Sequence, residues 1–213
     1  MRIYQFISAL LLAALAALTL AVITLGELPG EREFLIAVLG MRNAGWTAPI
    51  QIITFLTSAA PALAIAALCT LLELRRLGRT PRAFWPLVVY FGHLACNIGL
   101  RILIGRMRPD VEYIPNLLPE ISASFQQFSY PSGHAGSAVV AWGCLAIVAW
   151  RTRVRTLATL VAALLIIGTS LGRVYLGVHW PSDVFAGLLL SSAWLTIGNS
   201  ITLPRRTIDQ PRQ

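Results

Sequence analysis

Apolar residues in this chain come in long unbroken runs, without the alternation of a half-buried strand or the one-sided stripe of a surface helix. The first, Tyr4 to Leu25, has the length of about 20 residues that crosses a bilayer. Further runs cover 47–74, 84–104, 134–150, 156–171 and 184–203, so the pattern predicts an all-α, single-domain bundle of six transmembrane helices over residues 1–213. Arg2 followed by alanines and leucines also fits a signal peptide. The run exceeds a usual signal core and lacks a small-x-small cleavage site, which favours an uncleaved helix. Between Glu27 and Trp46, Phe34, Leu35, Val38, Leu39 and Met41 recur at helical spacing, the mark of a short amphipathic helix along the interface. The polar connection over 105–130 is the longest in the chain and exceeds a simple helix turn.

Charge orients the bundle. The net charge of +8 does not indicate nucleic acid, because the basic residues lie between apolar runs rather than on the basic face of a soluble fold. All 17 basic residues are arginine. Arg2, Arg75, Arg76, Arg79, Arg82, Arg151, Arg153, Arg155, Arg205, Arg206 and Arg212, eleven of the 17, fall on one side if both termini are cytoplasmic, as the positive-inside rule expects. Trp46, Trp85, Trp150 and Trp180 lie near span ends, where an aromatic belt places them. Cys69, Cys96 and Cys144 sit inside apolar runs without CxxC spacing and read as buried small hydrophobes.

Three polar clusters remain, each at the end of an apolar run and all on the arginine-poor, outer side. They are Arg101 with Arg108-Pro109, then Pro131-Ser132-Gly133-His134, then Arg173 with His179 and Asp183. Loop arginines such as Arg76 and Arg151 serve topology, but Arg101, Arg108 and Arg173 stand where that rule predicts depletion. Their planar forks suit phosphate oxygens. Ser132 and Gly133 open a helix, whose free N–H groups bind anions, although a plain Ser cap looks the same. His179 and Asp183, four apart, can pair so that the carboxylate sets the imidazole tautomer. Two histidines and one aspartate without HExxH spacing make a poor zinc site. On the third span His93, Asn97 and Arg101 share one helical face, either as a polar stripe under Arg101 or as separate contacts to neighbouring helices.

Arg101-x6-Arg108-Pro109, Pro131-Ser132-Gly133-His134 and Arg173-x5-His179-x3-Asp183 together resemble the three-part signature of the type 2 phosphatidic acid phosphatase superfamily of integral membrane lipid phosphatases. The resemblance covers the third to sixth spans. Two positions depart from it: Arg101 stands for a usual lysine, and Gly172 for the serine before Arg173, which removes one hydroxyl donor to phosphate. The resemblance implies His179 as nucleophile forming a phosphohistidine, Asp183 orienting it, and His134 as acid and then base. Arg101, Arg108, Ser132, Gly133 and Arg173 would hold the phosphate, with no metal and no cofactor. The implied substrate is a lipid phosphate in the bilayer, of the undecaprenyl diphosphate, phosphatidylglycerol phosphate or phosphatidate class, and the implied place is a bacterial inner membrane with the site facing the periplasm. Membrane lipids, not nucleic acid, are the expected partners. A lipid phosphotransferase, or an inactive lipid-phosphate binder or transporter, are the other readings.

Overall fold

A computed structural model describes residues 2–109 and 127–202 as a bundle of helices, with no strand among them beyond one isolated bridge between Met107 and Phe128. The helices are α1 (Arg2–Leu25), α2 (Glu31–Gly40), α3 (Ala44–Leu56), α4 (Ala59–Leu77), α5 (Trp85–Ile104), α6 (Gly133–Ala149), α7 (Arg155–Tyr175) and α8 (Pro181–Thr202), with a 3-10 turn at Pro81–Phe84. Most of the predicted 105–130 connection and the basic tail with Arg205, Arg206 and Arg212 lie outside the described residues.

By length and composition three helices can cross a membrane: Ile3–Leu25, Pro81–Ile104 and Arg155–Tyr175. The predicted second span is not one straight helix. It breaks between α3 and α4 with a bend of 47° and counts as a fourth crossing only if the pair acts as one span. The break has a local cause. The Thr57 hydroxyl donates to the carbonyls of Ile53 and Thr54 and meets Thr169 Oγ1 of α7 at 3.0 Å. Such back-bonding competes with the helical ladder, and Ser58 then leaves helical geometry at ψ 169° before α4 begins. The amphipathic turns expected after Glu27 form the helix α2.

The 17-residue α6 packs against α4, α5, α7 and α8. Its buried face is built from small residues, Ala135, Gly136, Ser137, Ala138, Ala141 and Gly143, which let helix backbones approach closely. A Cβ at Gly136 would lie 2.3 Å from His93, and one at Gly143 2.5 Å from Leu195. Trp46 and Trp150 are exposed as a belt requires, but Trp85 and Trp180 are buried. Trp85 fills the core between α4, α5 and α6, and Trp180 is enclosed with Leu35 and Val184. Cys69 and Cys144 are buried and Cys96 is exposed; all three are free thiols.

This packing sets the site. The C-terminal ends of α5 and α7 and the N-terminal ends of α6 and α8 meet at one end of the bundle. Gly105 closes α5 in the left-handed region (φ 61°) and turns the chain back, carrying Arg106 and Arg108 beside Arg101. Gly177 (φ 69°) does the same after α7, so that His179 follows Arg173 at once. Glycine is the residue suited to both turns.

Candidate active site

The second cluster is fastened to the third by main chain: the Ser132 amide donates to the Asp183 carbonyl at 2.8 Å. Ser132 stands at the N-cap position of α6 but makes no side-chain cap bond. Its buried hydroxyl has no hydrogen-bond partner among the described residues, so the plain-cap reading of this serine fails. Gly133 has a steric reason as well: a Cβ there would lie 3.2 Å from Arg101 Nη2. Arg101 Nη2 donates to the Pro131 carbonyl at 3.1 Å and to Asn97 Oδ1 at 3.5 Å, while Asn97 Nδ2 reaches the same carbonyl at 3.4 Å. The polar stripe on α5 therefore divides. Asn97 supports Arg101, whereas His93 Nδ1 pairs with Ser191 Oγ of α8 at 3.0 Å.

Arg108 Nη1 donates to the Val178 carbonyl and lies 3.4 Å from His179 Nε2. Arg173 is buried, and its Nε has no partner among the described residues. A buried cation with an unmet donor is costly unless an anion completes it. The other imidazole nitrogen, His179 Nδ1, faces Asp183 Oδ2 at 3.5 Å. The pair is aligned but looser than a hydrogen bond, as catalytic contacts often are before substrate binds. Burial, then the charges of Arg108, Arg173 and Arg101, hold the His179 imidazole well below the usual histidine range. It is thus neutral near pH 7, with Nε2 turned toward the arginines. His134 sits at the start of α6 and contributes to the same field. All eight predicted site residues converge here.

Two further residues join them that sequence reasoning passed over. Arg106 Nη1 donates to Asp183 Oδ1 at 2.8 Å, and its Nη2 to Glu31 Oε2 of α2 at 2.7 Å. Burial pushes the Glu31 carboxyl up, but bonds from Ser182, Leu28 and Arg106 outweigh it and leave the group below its ordinary value. The available signal was Arg106 itself, an arginine on the depleted side with no motif to explain it. The Gly172 departure turns out to concern packing. A Cβ there would meet Ile50 at 2.8 Å and Thr54 at 3.4 Å, so a side chain at this position points at α3 and not at the arginines.

Residues 82–206 match the sequence pattern of the PAP2 superfamily. An undecaprenyl-diphosphatase of Sulfolobus acidocaldarius is 30% identical over 64% of this chain and 61% of its own length. A lipid A 1-phosphatase of Rhizobium johnstonii is 32% identical over 58% of this chain and 48% of its own. The chain thus spans about half to about three-fifths of the length of these relatives. A solved Bacillus subtilis structure, described as the first transmembrane PAP2 type phosphatidylglycerolphosphate phosphatase, superposes with a TM-score of 0.78 at 20% identity, over 96% of this chain and 98% of that one. That likeness extends the shared fold to α1–α4, beyond the matched segment. All three motifs lie within 82–206, and on that match the chain belongs to the PAP2 superfamily.

Proposed function

We propose that this protein is an integral membrane lipid phosphatase that cleaves a phosphomonoester or diphosphate of a lipid through a phosphohistidine at His179. The observation that carries the reading is the convergence of two unmet buried groups, Arg173 Nε and Ser132 Oγ, beside Arg108, His134 and the Nε2 side of His179. Donors without acceptors around a neutral imidazole suit a phosphate group, whose equatorial oxygens take Arg101, Arg108, Arg173 and the first N–H groups of α6. In the first step Nε2 of His179 attacks phosphorus and the bond to the leaving oxygen breaks. His134 gives that oxygen its proton. The ring, now bonded at Nε2, carries positive charge that Asp183 offsets across Nδ1. In the second step water attacks phosphorus, His134 takes its proton, and the P–N bond breaks to release inorganic phosphate and neutral His179.

Membrane topology belongs to the same proposal: six crossings, both termini cytoplasmic, and the site at the periplasmic face of a bacterial inner membrane. The arginine bias of the loops supports it. The named relatives act on undecaprenyl diphosphate and lipid A, and the fold neighbour on phosphatidylglycerol phosphate, which supports a lipid phosphate as substrate. A cavity of about 480 Å³ lined by Glu27, Arg32, Arg106, Arg108 and Trp180 lies next to the turn that carries the third motif and offers space for a head group.

The test is phosphate release by the purified protein from a panel of short-chain lipid phosphates, with His179→Ala alongside and rapid acid quench of labelled substrate. Wild type should release phosphate and yield an acid-labile phosphoprotein, and the variant neither. A fully active His179→Ala protein would falsify the mechanism.

A further inference from the structure

Arg106 belongs to none of the three motifs, yet its side chain is 8% exposed and fully engaged. Besides Asp183 and Glu31, Nη1 donates to Ser182 Oγ at 2.6 Å, and the guanidinium carbon lies 5.1 Å from the Trp180 ring centre. Glu31 is anchored in turn: Oε1 accepts from the Ser182 amide at 2.8 Å and from its hydroxyl, and Oε2 accepts from the Leu28 amide at 3.1 Å. A helix lying outside the predicted spans therefore bonds the turn before α8 through its Glu31 carboxylate, beside the packing of Leu35 and Arg32 against Trp180.

The consequence falls on Asp183. Its Oδ1 accepts from Arg106; its Oδ2 accepts from the Trp180 amide at 2.8 Å and faces His179 Nδ1. A carboxylate free to turn about its last torsion could present either oxygen, or neither, to the imidazole. With Oδ2 held by the Trp180 amide and Oδ1 by Arg106, the carboxylate is fixed at both oxygens and Oδ2 points at His179. Charge is managed in the same contact. Arg106 alone would neutralise Asp183, but Glu31 offsets Arg106, so the three groups together keep one negative charge facing the ring that becomes cationic during phosphoryl transfer.

We propose that Arg106, clamped by Glu31, is a positioning residue that fixes Oδ1 of Asp183 and thereby aims Oδ2 at His179. The inference rests on the phosphohistidine reading above. Its role is distinct from that proposed for Arg101, Arg108 and Arg173, because its two terminal nitrogens bond carboxylates, Asp183 and Glu31, and so hold the nucleophile's partner.

The experiment is a kinetic cycle on the full chain in detergent, with dioctanoyl phosphatidate as substrate. It compares wild type, Arg106→Ala, Arg106→Lys, Glu31→Gln, Asp183→Asn, each of the Arg106 and Glu31 variants combined with Asp183→Asn, and His179→Ala. Arg106→Ala should lower kcat by about 10- to 100-fold, the loss expected of a catalytic group out of place, with KM within about twofold. Arg106→Lys, which keeps the charge, should recover most of it, and Glu31→Gln should show a smaller fall in kcat. On the Asp183→Asn background the further loss should shrink to less than about threefold, since residues acting through one another are not additive. Should Arg106→Ala not fold, Glu31→Gln and Arg106→Lys complete the same cycle. A raised KM at unchanged kcat, or a loss as large without Asp183 as with it, overturns the proposal. An active His179→Ala sinks the phosphohistidine reading itself; an inactive one beside an unaffected Arg106→Ala sinks only this inference.

Discussion

Gly187 offers a direct measure of how tightly the α6–α8 contact sets the site. A Cβ built there would lie 2.4 Å from the Ser132 carbonyl oxygen, 3.3 Å from its carbon and 3.4 Å from the Gly136 nitrogen. Ordinary contact begins at 3.4 Å, so Gly187→Ala leaves a deficit of 3.4 − 2.4 = 1.0 Å against main chain, which cannot rotate away. Either α8 backs off or the Ser132 turn moves, and both strain the bond from the Ser132 amide to the Asp183 carbonyl that joins the second motif to the third. Overpacking of this kind costs about 1–3 kcal/mol, partly offset by the gain of about 1 kcal/mol from replacing glycine within a helix. The protein should therefore fold with a modestly lower Tm. Activity is more sensitive, since a shift of about 1 Å in a catalytic array costs on the order of a hundredfold in rate. Gly99→Ala is the control: it also lies in a helix, α5, but a Cβ there meets nothing within 4 Å, so turnover should not change. The assay is phosphate release at saturating short-chain lipid phosphate, beside thermal unfolding in detergent. If Gly187→Ala turns over within about twofold of wild type, the close approach of these helices does not set the geometry of the site.

Two further outcomes are expected. The nucleophile must be neutral, and its pKa in the folded protein is lowered, so the neutral form persists above that value and is lost only as pH falls through it. The acid limb of kcat/KM should accordingly lie below 6.5, the ordinary histidine value, and Arg108→Gln should move it upward by removing the nearest charge; a limb at or above 6.5 in wild type contradicts the assignment of His179. Arg101→Lys should retain much of the activity because charge is kept, while Arg101→Ala should lose on the order of a hundredfold or more, through phosphate binding and through release of the Pro131 carbonyl; steady-state kinetics on one short-chain lipid phosphate separates the two, and near wild-type turnover in the alanine variant makes Arg101 structural.

The motif residues were legible because three arginines, two histidines and a carboxylate stand at the ends of apolar runs, in an order and spacing that resemble a known three-part signature. The helices were legible because a chain that cannot bond to water must bond to itself. What escaped detection was tertiary. At the break the Thr57 hydroxyl turns back on its own helix and also meets Thr169, 112 positions away, and a threonine within an apolar run does not announce either contact. Trp85 and Trp180 stand where a belt tryptophan would, and only packing against neighbouring helices shows that they are core. Glu31 and Arg106 are 75 residues apart, and each alone looks like an interfacial charge.

One feature of the sequence nonetheless pointed to them. Six arginines fall outside the loops predicted to be cytoplasmic: Arg32, Arg42, Arg101, Arg106, Arg108 and Arg173. Three are motif residues, and each of the others has a tertiary contact with the turn that carries the third motif or with the helix end beside it. Arg32 lies 5.4 Å from the Trp180 ring centre, Arg42 donates to the Tyr175 carbonyl at the end of α7 at 2.7 Å, and Arg106 holds Asp183. On the proposed topology all three stand on the disfavoured face; Arg32 is ion-paired with Glu27, and each of the three also touches the segment from Tyr175 to Asp183. The exceptions to the positive-inside pattern therefore mark the support of the third-motif turn as well as the proposed phosphate ligands, and they do so in a chain whose motifs account for only half of them.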